Sequence, residues 1–258
     1  MLVRDRPQGG IEILLVQRHA SMGFMGGMHV FPGGKVCADD ASPRLATLIA
    51  ERDAEHSQAV WGAEIDAAAA RARAIAAVRE TFEESGVLLV RGEAPADLAA
   101  LREALLAGAD FAELIGGHGL TLDLAALQPL SRWITPESER TRFDTSFYVT
   151  RAPEGQLARH DERENIACGW FAPAEAIASS RRGAIRLAPP TALTLDGFAE
   201  ATCADEALAI AARRPPPVIL PILRREGDDI VILYPGDPDH PVSTPAFSGP
   251  TRRVLRRA

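Results

Sequence analysis

The chain has 258 residues, enough to bury a substantial core in one large domain or in one domain with additions. Its formal net charge of −7 gives no general attraction to nucleic acid or to anionic lipid, so we expect neither partner and leave room only for a local basic cleft that binds a small anionic ligand. Three widely spaced cysteines fit neither a disulfide framework nor a paired-cysteine zinc site. No stretch approaches the roughly 20 apolar residues that cross a bilayer, and no apolar signal segment opens the chain, so we expect a soluble, cytoplasmic protein.

The first half of the chain opens with a strand and a glycine-rich loop. "IEILLVQR" is aliphatic and β-branched, which favours a strand, and the following "HASMGFMGGMHVFPGG" repeats glycine and proline, which predicts a long structured loop. After a polar stretch, an alanine-rich segment of high helix propensity predicts a helix from about Ala63 to Gly86. "GVLLV" then predicts a strand, and "PADLAALREALLAGADFAELIGG" has the apolar spacing of one or two short helices.

The second half mixes strands and helices. "TRFDTSFYVT" and "NIACGWFA" are typical of strands, "PAEAIASSR" of a helix opened by proline, and "TALTLDGFAEATC" and "ADEALAIAARR" of two further helices. "PPPVILPILRREGDDIVILYPGD" predicts two strands joined at "REGDD", and residues 236–258 predict an extended tail. We expect one domain over residues 1–258, with the helices and hairpin of residues 190–235 packed on it, because a two-stranded hairpin alone is only marginally stable. A homodimer is compatible with this organisation.

Three carboxylates lie close together near the end of the alanine-rich helix, in "RETFEESGV". Glu80, Glu83 and Glu84 stand at positions i, i+3 and i+4, so their side chains share one helical face. Like charges repel there, and acidic groups at a helix C-terminus oppose the helix dipole. A solvated acidic face is the ordinary explanation of such a cluster. The functional explanation is a divalent cation that neutralises it, because Mg²⁺ prefers carboxylate oxygens.

The segment upstream favours the functional explanation. "FPGGKVCADD" contains Gly33 and Gly34, whose backbone can approach a metal or a phosphate closely because no Cβ intervenes. Together with the helix, this segment resembles the Nudix box, G-x5-E-x7-R-E-U-x-E-E-x-G-U with U aliphatic. Gly34 begins the pattern, Asp40 takes the place of its first Glu, and the remaining positions are matched by Arg79, Glu80, Glu83, Glu84, Gly86 and Val87.

Two features depart from the pattern. Thr81 stands at its first aliphatic position, and 38 residues separate Asp40 from Arg79 where the pattern has seven. We interpret the excess as a helical insertion over about residues 41–71, since each doubling of a surface loop adds only about 0.6 kcal/mol of closure entropy. Such an interrupted box is similar to that of the peroxisomal-type coenzyme A diphosphatases. The chain also resembles these enzymes in four segments outside the box acids, "GFMGGMHVFPGG", "LSRWITP", "RFDTSFYV" and "LAPPT".

The resemblance implies a fold, a reaction and a set of site residues. The fold is the Nudix α/β/α sandwich with a mixed sheet and extra helices. The reaction is hydrolysis of a diphosphate linkage with Mg²⁺ or Mn²⁺, in which Glu80, Glu83, Glu84 and the Gly34 carbonyl hold metal and Arg79 orients the glutamates. Glu80 is alternatively the base that accepts the proton of the attacking water.

The substrate implied by the resemblance is coenzyme A or an acyl-CoA, cut to 3′,5′-ADP and a 4′-phosphopantetheine product. ADP-ribose, NADH and dinucleoside polyphosphates carry the same kind of linkage and are the alternative substrates. A Nudix-like module that binds a nucleotide without cleaving it is the alternative outside the enzymes.

Several residues outside the box are candidates for substrate contacts. Arg18, at the end of the first strand, can bind a phosphate in a bidentate manner. Trp133, in the loop-like "SRWITP", can stack on a base, as can Phe24 and Phe31, although aromatic side chains beside strands are usually core. Arg142 is a further candidate for a phosphate group.

Acidic and histidine side chains complete the set of candidates. Glu162 and Glu164 lie in "HDEREN", between two predicted strands, where related enzymes bring a further carboxylate to the metal or the attacking water. As a charge run, this segment is also typical of a solvated loop. None of His19, His29 and His118 has metal-ligand spacing to another His or Cys, so we expect structural or surface roles for them.

Overall fold

The computed structural model describes residues 1–50, 61 and 65–255 of the chain. The strands in this part are β1 Leu2–Asp5, β2 Ile11–Arg18, β3 His29–Val30, β4 Gln128–Ile134, β5 Asp144–Arg151, β6 Asn165–Phe171, β7 Val218–Ile219, β8 Ile222–Glu226, β9 Asp229–Leu233 and β10 Arg252–Leu255. The α-helices are α1 Pro43–Ala46, α2 Ala67–Ser85, α3 Leu98–Leu106, α4 Phe111–Gly117, α5 Pro173–Arg181, α6 Pro189–Asp196 and α7 Ala204–Ala212. None of these helices is long and apolar enough to cross a membrane.

The main sheet has seven strands, of which six follow the order β3-β2-β1-β5-β4-β7, and the seventh, β6, also pairs with β2. The pairs β1·β5 and β4·β7 are parallel, and the other pairs are antiparallel. A separate three-stranded antiparallel sheet has the order β10-β9-β8. The predicted mixed sheet is therefore confirmed.

Helices cover both faces of the main sheet. On β2, Leu14 packs in the same core cluster as Ile75 and Phe82 of α2. Its neighbours Ile13 and Leu15 point to the other face and join the cluster that contains Ala204 and Ala207 of α7. Because both faces are buried, the strand is a nearly continuous aliphatic run, as in "IEILLV". The three-layer arrangement expected from the sequence is confirmed.

Helix α2 has clear signals at both ends. The Asp66 side chain accepts a hydrogen bond from the Ala69 N–H, which caps the N-terminus. Gly86 adopts a left-handed conformation with φ of 73° and ends the helix. The glycine stop was predicted, and the start lies at Ala67 rather than near Ala63 because Asp66 supplies the cap.

The predicted strand "GVLLV" is wrong. Residues Val87 to Leu89 are buried, yet the Leu88 N–H donates to the Gln156 side-chain oxygen and the Leu88 carbonyl accepts from the Gln156 amide. A side chain therefore satisfies the backbone groups that a neighbouring strand would otherwise pair. Val90 makes only an isolated bridge with Leu122.

The C-terminal region also differs from the prediction. The two strands joined at "REGDD" are β8 and β9, as expected, but the extended tail is wrong because Arg252–Leu255 returns as β10 and pairs with β9. Tyr234 packs against Trp133 of β4, with ring centroids 6.2 Å apart, so this small sheet contacts the main one. Residues 256–258 lie outside the described residues, as do 51–60 and 62–64 of the predicted helical insertion. The described part of the insertion contains α1.

Candidate active site

Arg79 lies at the centre of a group of buried and partly buried carboxylates. Its Nε and Nη2 donate to the two oxygens of Asp40 at 2.8 and 2.9 Å, and its Nη1 donates to Glu80 Oε1 at 3.0 Å and to Glu83 Oε2 at 3.1 Å. Nη2 also donates to the Lys35 carbonyl at 2.9 Å. One guanidinium thus joins the segment before the insertion to the helix after it, which the planar, multi-donor shape of arginine makes feasible.

The charges around Arg79 keep it ionised. Burial lowers its pKa, but the hydrogen bonds to Asp40 and the negative charges of Glu80, Asp40 and Glu83 outweigh burial, so the pKa lies above its ordinary value. Asp40 is fully buried and also accepts from the Cys37 N–H at 2.8 Å. Asp40 is shorter than the Glu of the box pattern, and it still contacts Arg79 because its backbone lies closer to the arginine.

The glycine loop packs directly on the glutamates. A Cβ added to Gly34 would overlap the Glu80 carboxylate, so no other residue fits here without displacing that side chain. The Gly33 N–H donates to Glu84 Oε2 at 2.9 Å. The condition that the loop must lie beside the helix, which the box requires, is met by these two contacts.

Two of the three glutamates, the buried Glu84 and the partly buried Glu80, carry incompletely balanced charge. Burial raises the pKa of Glu84 to about 8, and hydrogen bonds from Gly33 and Asn165 together with the charge of Arg18 offset this only in part. Burial also raises the pKa of Glu80, against the attraction of Arg79. Carboxylates whose charge is only partly balanced are oxygen ligands of the kind that a hard divalent cation prefers.

Metal binding itself stays a prediction. Across the described residues, no group of three or more His, Cys, Asp or Glu side chains is arranged so that it could hold a metal ion. In this arrangement Arg79 and the Gly33 N–H are the partners of the glutamates.

The end of helix α2 is held by an arginine that the sequence did not single out. Arg102 of α3 donates through Nε and Nη2 to the Glu83 carbonyl at 2.9 and 2.6 Å. It is 8% exposed and replaces the hydrogen bonds that carbonyls of the last helical turn lack. No local pattern predicts this contact, since the partners are 19 positions apart and on different helices.

Arg18 and Glu164 lie at the edge of this group. The Arg18 Nη2 is 3.9 Å from Glu164 Oε2, and the Arg18 Nε is buried without a hydrogen-bond partner among the described residues. The Glu164 charge also contributes to the raised pKa of Glu80. Glu162 is exposed, in a left-handed conformation with φ of 58°, and its carboxylate makes no hydrogen bond or ion pair within the described part of the chain. Of the two acidic candidates, only Glu164 is brought to the box.

The predicted loop position of Trp133 is wrong, because Trp133 lies in β4. It is 7% exposed, and its ring packs against Phe147 and Tyr234, which favours the core alternative over stacking on a base. Phe31 is likewise core and packs edge-on against Phe147. Arg142 is exposed and donates to the Thr135 carbonyl at 3.2 Å.

The three candidate histidines do not join the group of carboxylates. His29 is buried in β3, where burial lowers its pKa. His19 pairs with the Ser21 hydroxyl, and His118 contacts the Leu114 carbonyl at the end of α4.

A mixed sheet between helical layers, with this loop and helix in contact, is the architecture of a Nudix hydrolase. The crystal structure of a Nudix hydrolase from Alicyclobacillus acidocaldarius superposes with a TM-score of 0.69 at 27% identity, over 81% of this chain and 92% of that chain. Residues 4–196 match the family described as the NUDT19 Nudix domain.

Two curated relatives align with nearly the whole chain. Human (Homo sapiens) acyl-coenzyme A diphosphatase NUDT19 is 31% identical over 91% of this chain and 73% of its own length. The protein of the same name from Gallus gallus is 30% identical over 92% of this chain and 75% of its own length. The chain therefore belongs to the NUDT19 family of Nudix hydrolases.

Proposed function

We propose that this hydrolase cleaves the diphosphate linkage of coenzyme A or an acyl-CoA, with Mg²⁺ or Mn²⁺, to 3′,5′-ADP and 4′-phosphopantetheine or its acyl derivative. The observation that carries the proposal is the contact of the Gly34 loop with Glu80 while Arg79 bridges Asp40, Glu80 and Glu83. The names of the two relatives supply the substrate class. The three cysteines form no disulfide bond, which fits a reducing compartment such as the cytoplasm.

The metal would be held by Glu83 and Glu84 with the Gly34 carbonyl. When bound, Mg²⁺ or Mn²⁺ supplies positive charge that neutralises the diphosphate and polarises its phosphorus–oxygen bonds. Glu84 fits this role because it is buried with a raised pKa, so a cation next to it would favour its ionised form. Gly34 fits because its missing Cβ leaves the Glu80 carboxylate in place.

The chemical step adds one water across the P–O–P bridge. The water oxygen bonds to one phosphorus, the bond from that phosphorus to the bridging oxygen breaks, and the proton of the water passes to a base. Of its two candidate roles, Glu80 suits the proton acceptor better, because burial raises its pKa and a more basic carboxylate accepts a proton more readily. Arg79 donates hydrogen bonds to Glu80 and Glu83 and would keep their carboxylates in position, and Arg18 would bind a substrate phosphate.

A substrate panel tests the proposal. Purified protein with Mg²⁺ or Mn²⁺ is assayed against coenzyme A, acetyl-CoA, ADP-ribose, NADH and a dinucleoside polyphosphate, and kcat/KM is compared, because specificity is a ratio of these values. We expect the two CoA compounds to have the highest values, with 3′,5′-ADP as product. Efficient cleavage of ADP-ribose or NADH with intact coenzyme A would reject the substrate, and nucleotide binding without any product would favour the non-catalytic module.

A further inference from the structure

Two phenylalanines outside the box form an aromatic surface next to it. Phe24 lies in the loop between β2 and β3, and Phe143 directly precedes β5. Their ring centroids are 4.7 Å apart, and Phe24 remains 40% exposed although aromatic rings of this size are usually buried. The Phe24–Phe143 pair is therefore an exposed apolar surface built from two separate loops.

Backbone contacts close the two loop segments that carry these rings. In the first loop, a Cβ on Gly26 would lie 2.7 Å from the carbonyl oxygens of Ala20 and Met22, so the loop is tightly closed behind Phe24. Phe143 accepts from the Thr135 N–H through its carbonyl, and its own N–H donates to the Thr135 hydroxyl. A ligand that stacks on these rings would need to order little of the chain.

A cation stands beside the aromatic pair. The Lys35 ammonium is 5.8 Å from the centroid of the Phe143 ring, and Lys35 is exposed. Lys35 directly follows Gly34, and its carbonyl accepts from Arg79. The same short segment therefore contacts the box carboxylates through its backbone and carries a positive charge to the aromatic surface.

We propose that the Phe24–Phe143 pair stacks on the purine base of the substrate nucleotide and that Lys35 binds the phosphate on its ribose. This inference rests on the proposed function and assigns the nucleotide half of the substrate to this surface. A purine offers a flat π-face, and its ribose phosphate offers a negative charge, which match the rings and the ammonium. The pantetheine arm has neither a flat π-face nor a negative charge. The box next to the aromatic surface is rich in carboxylates, which repel an anion that is not paired with a cation.

Equilibrium binding of stable fragments tests the inference without relying on turnover. Binding of 3′,5′-ADP, 5′-AMP and 4′-phosphopantetheine is measured by calorimetry for wild type, Phe24→Ala, Phe24→Trp, Phe143→Leu and Lys35→Met. Leu157→Ala is the matched control, since Leu157 is an exposed apolar residue (76% exposed) away from these loops in sequence.

We expect Phe24→Ala to weaken binding of both adenine nucleotides about tenfold, because one stacked base is worth about this much, and to leave 4′-phosphopantetheine unchanged. Phe24→Trp should retain nucleotide binding, and Phe143→Leu should weaken it, because leucine is apolar but has no π-face. Lys35→Met should weaken 3′,5′-ADP more than 5′-AMP, because only the former carries the second phosphate. Leu157→Ala should match wild type for every fragment.

The outcomes separate this inference from the proposed function. If wild type hydrolyses coenzyme A and Phe24→Ala binds 3′,5′-ADP as tightly as wild type, the aromatic surface is not the base site and the function stands. Equal weakening of all three fragments also overturns the inference, as does wild type that binds none of the nucleotides. If coenzyme A is not cleaved but Phe24→Ala still loses nucleotide affinity selectively, the base site stands and the substrate proposal fails.

Discussion

Arg79 and Arg151 each hold carboxylates from distant parts of the chain, in opposite surroundings. Arg79 is 9% exposed and binds Asp40 with two parallel hydrogen bonds. Arg151 bridges Asp5 and Asp205 at 2.7 Å each, with the arginine side chain 40% exposed and Asp205 82% exposed. In both, the charges and hydrogen bonds of the acids raise the pKa of the arginine.

The two clusters differ in whether water can hydrate their charges when the ion pairs break. Around Arg151, solvent can hydrate each charge when the contact breaks, so the ion pairs have little net effect on stability. Around Arg79, Asp40 has no access to water, and loss of its partner would leave a buried charge unpaired. Distances alone do not distinguish the clusters. Burial therefore gives the Arg79 cluster a structural role that the Arg151 cluster does not have.

The largest effect is expected for Arg79→Met. Removing the guanidinium leaves Asp40 buried without a counter-charge, which should lower the free energy of unfolding by about 3 to 5 kcal/mol. Urea unfolding followed by circular dichroism measures the change. Arg79→Lys keeps the charge but loses the paired hydrogen bonds, so its free energy of unfolding should lie between those of wild type and Arg79→Met. It also supplies a folded variant if Arg79→Met does not fold. A loss no greater than that of Arg151→Met would contradict the role of burial.

The second effect separates the proposed catalytic role of the Arg79 cluster from its structural role. Glu83→Gln keeps the size of a side chain that is partly exposed, so stability should change little. If Glu83 holds metal, kcat/KM for coenzyme A should fall by at least about 100-fold, since even residues that only support metal ligands are worth about 10- to 100-fold. Glu154→Gln, at an exposed carboxylate outside the site, is the control and should keep wild-type kinetics. Full activity of Glu83→Gln at saturating Mg²⁺ would remove Glu83 from the ligands.

The third effect is a pH dependence of the free energy of unfolding that arises from the buried Glu84. The pKa of Glu84 is raised from 4.5 to about 8 by burial, so between these values the folded chain keeps a proton that the unfolded chain releases. The unfolded state then binds fewer protons, and the free energy of unfolding falls as pH rises from about 4.5 to about 8, by about 1.4 kcal/mol per unit of pKa difference.

This dependence is measured on metal-free protein by urea unfolding at pH 5, 6, 7 and 8. Glu84→Gln has no ionisable group at this position, so its stability should fall less over the same interval than that of wild type. Glu154→Gln should keep the wild-type slope. Equal slopes for wild type and Glu84→Gln would show that the Glu84 carboxylate is already balanced in the folded protein.

The smallest effect is expected for Arg151→Met, which tests the exposed side of the comparison. Asp5 would keep its hydrogen bond from the Ala204 N–H at the start of α7, and Asp205 would be hydrated, so the urea midpoint should not shift measurably. A shift as large as that of Arg79→Lys would mean that exposure does not decide the energetics of these clusters.

Much of the local structure was predictable because it depends on near neighbours. The observed bounds of β2 and α5 equal the predicted segments "IEILLVQR" and "PAEAIASSR", since aliphatic composition and an N-terminal proline act over a few residues. The glycine stop of α2 and the common face of Glu80, Glu83 and Glu84 are equally local. The resemblance of the box added the contact between the glycine loop and the helix, which the structure shows.

The parts that the sequence did not predict depend on contacts between distant residues. Leu88 is not in a strand because Gln156 satisfies its backbone, and Trp133 is core because β4 pairs with β5 and β7 and packs under Tyr234. Arg252–Leu255 form a strand because they pair with β9 at the edge of the small sheet. The position of Arg102 at the end of α2, and of Glu164 but not Glu162 beside Arg18, likewise follows from packing.

The sequence by itself therefore determined which side chains could carry the chemistry, because residue type and helical spacing are encoded locally. The tertiary structure decided which of them are buried, and with that their charge balance: Asp40 and Arg79 are 39 positions apart, and only the folded chain excludes water from both. Desolvation depends on everything that surrounds a group, so no stretch of sequence reports it.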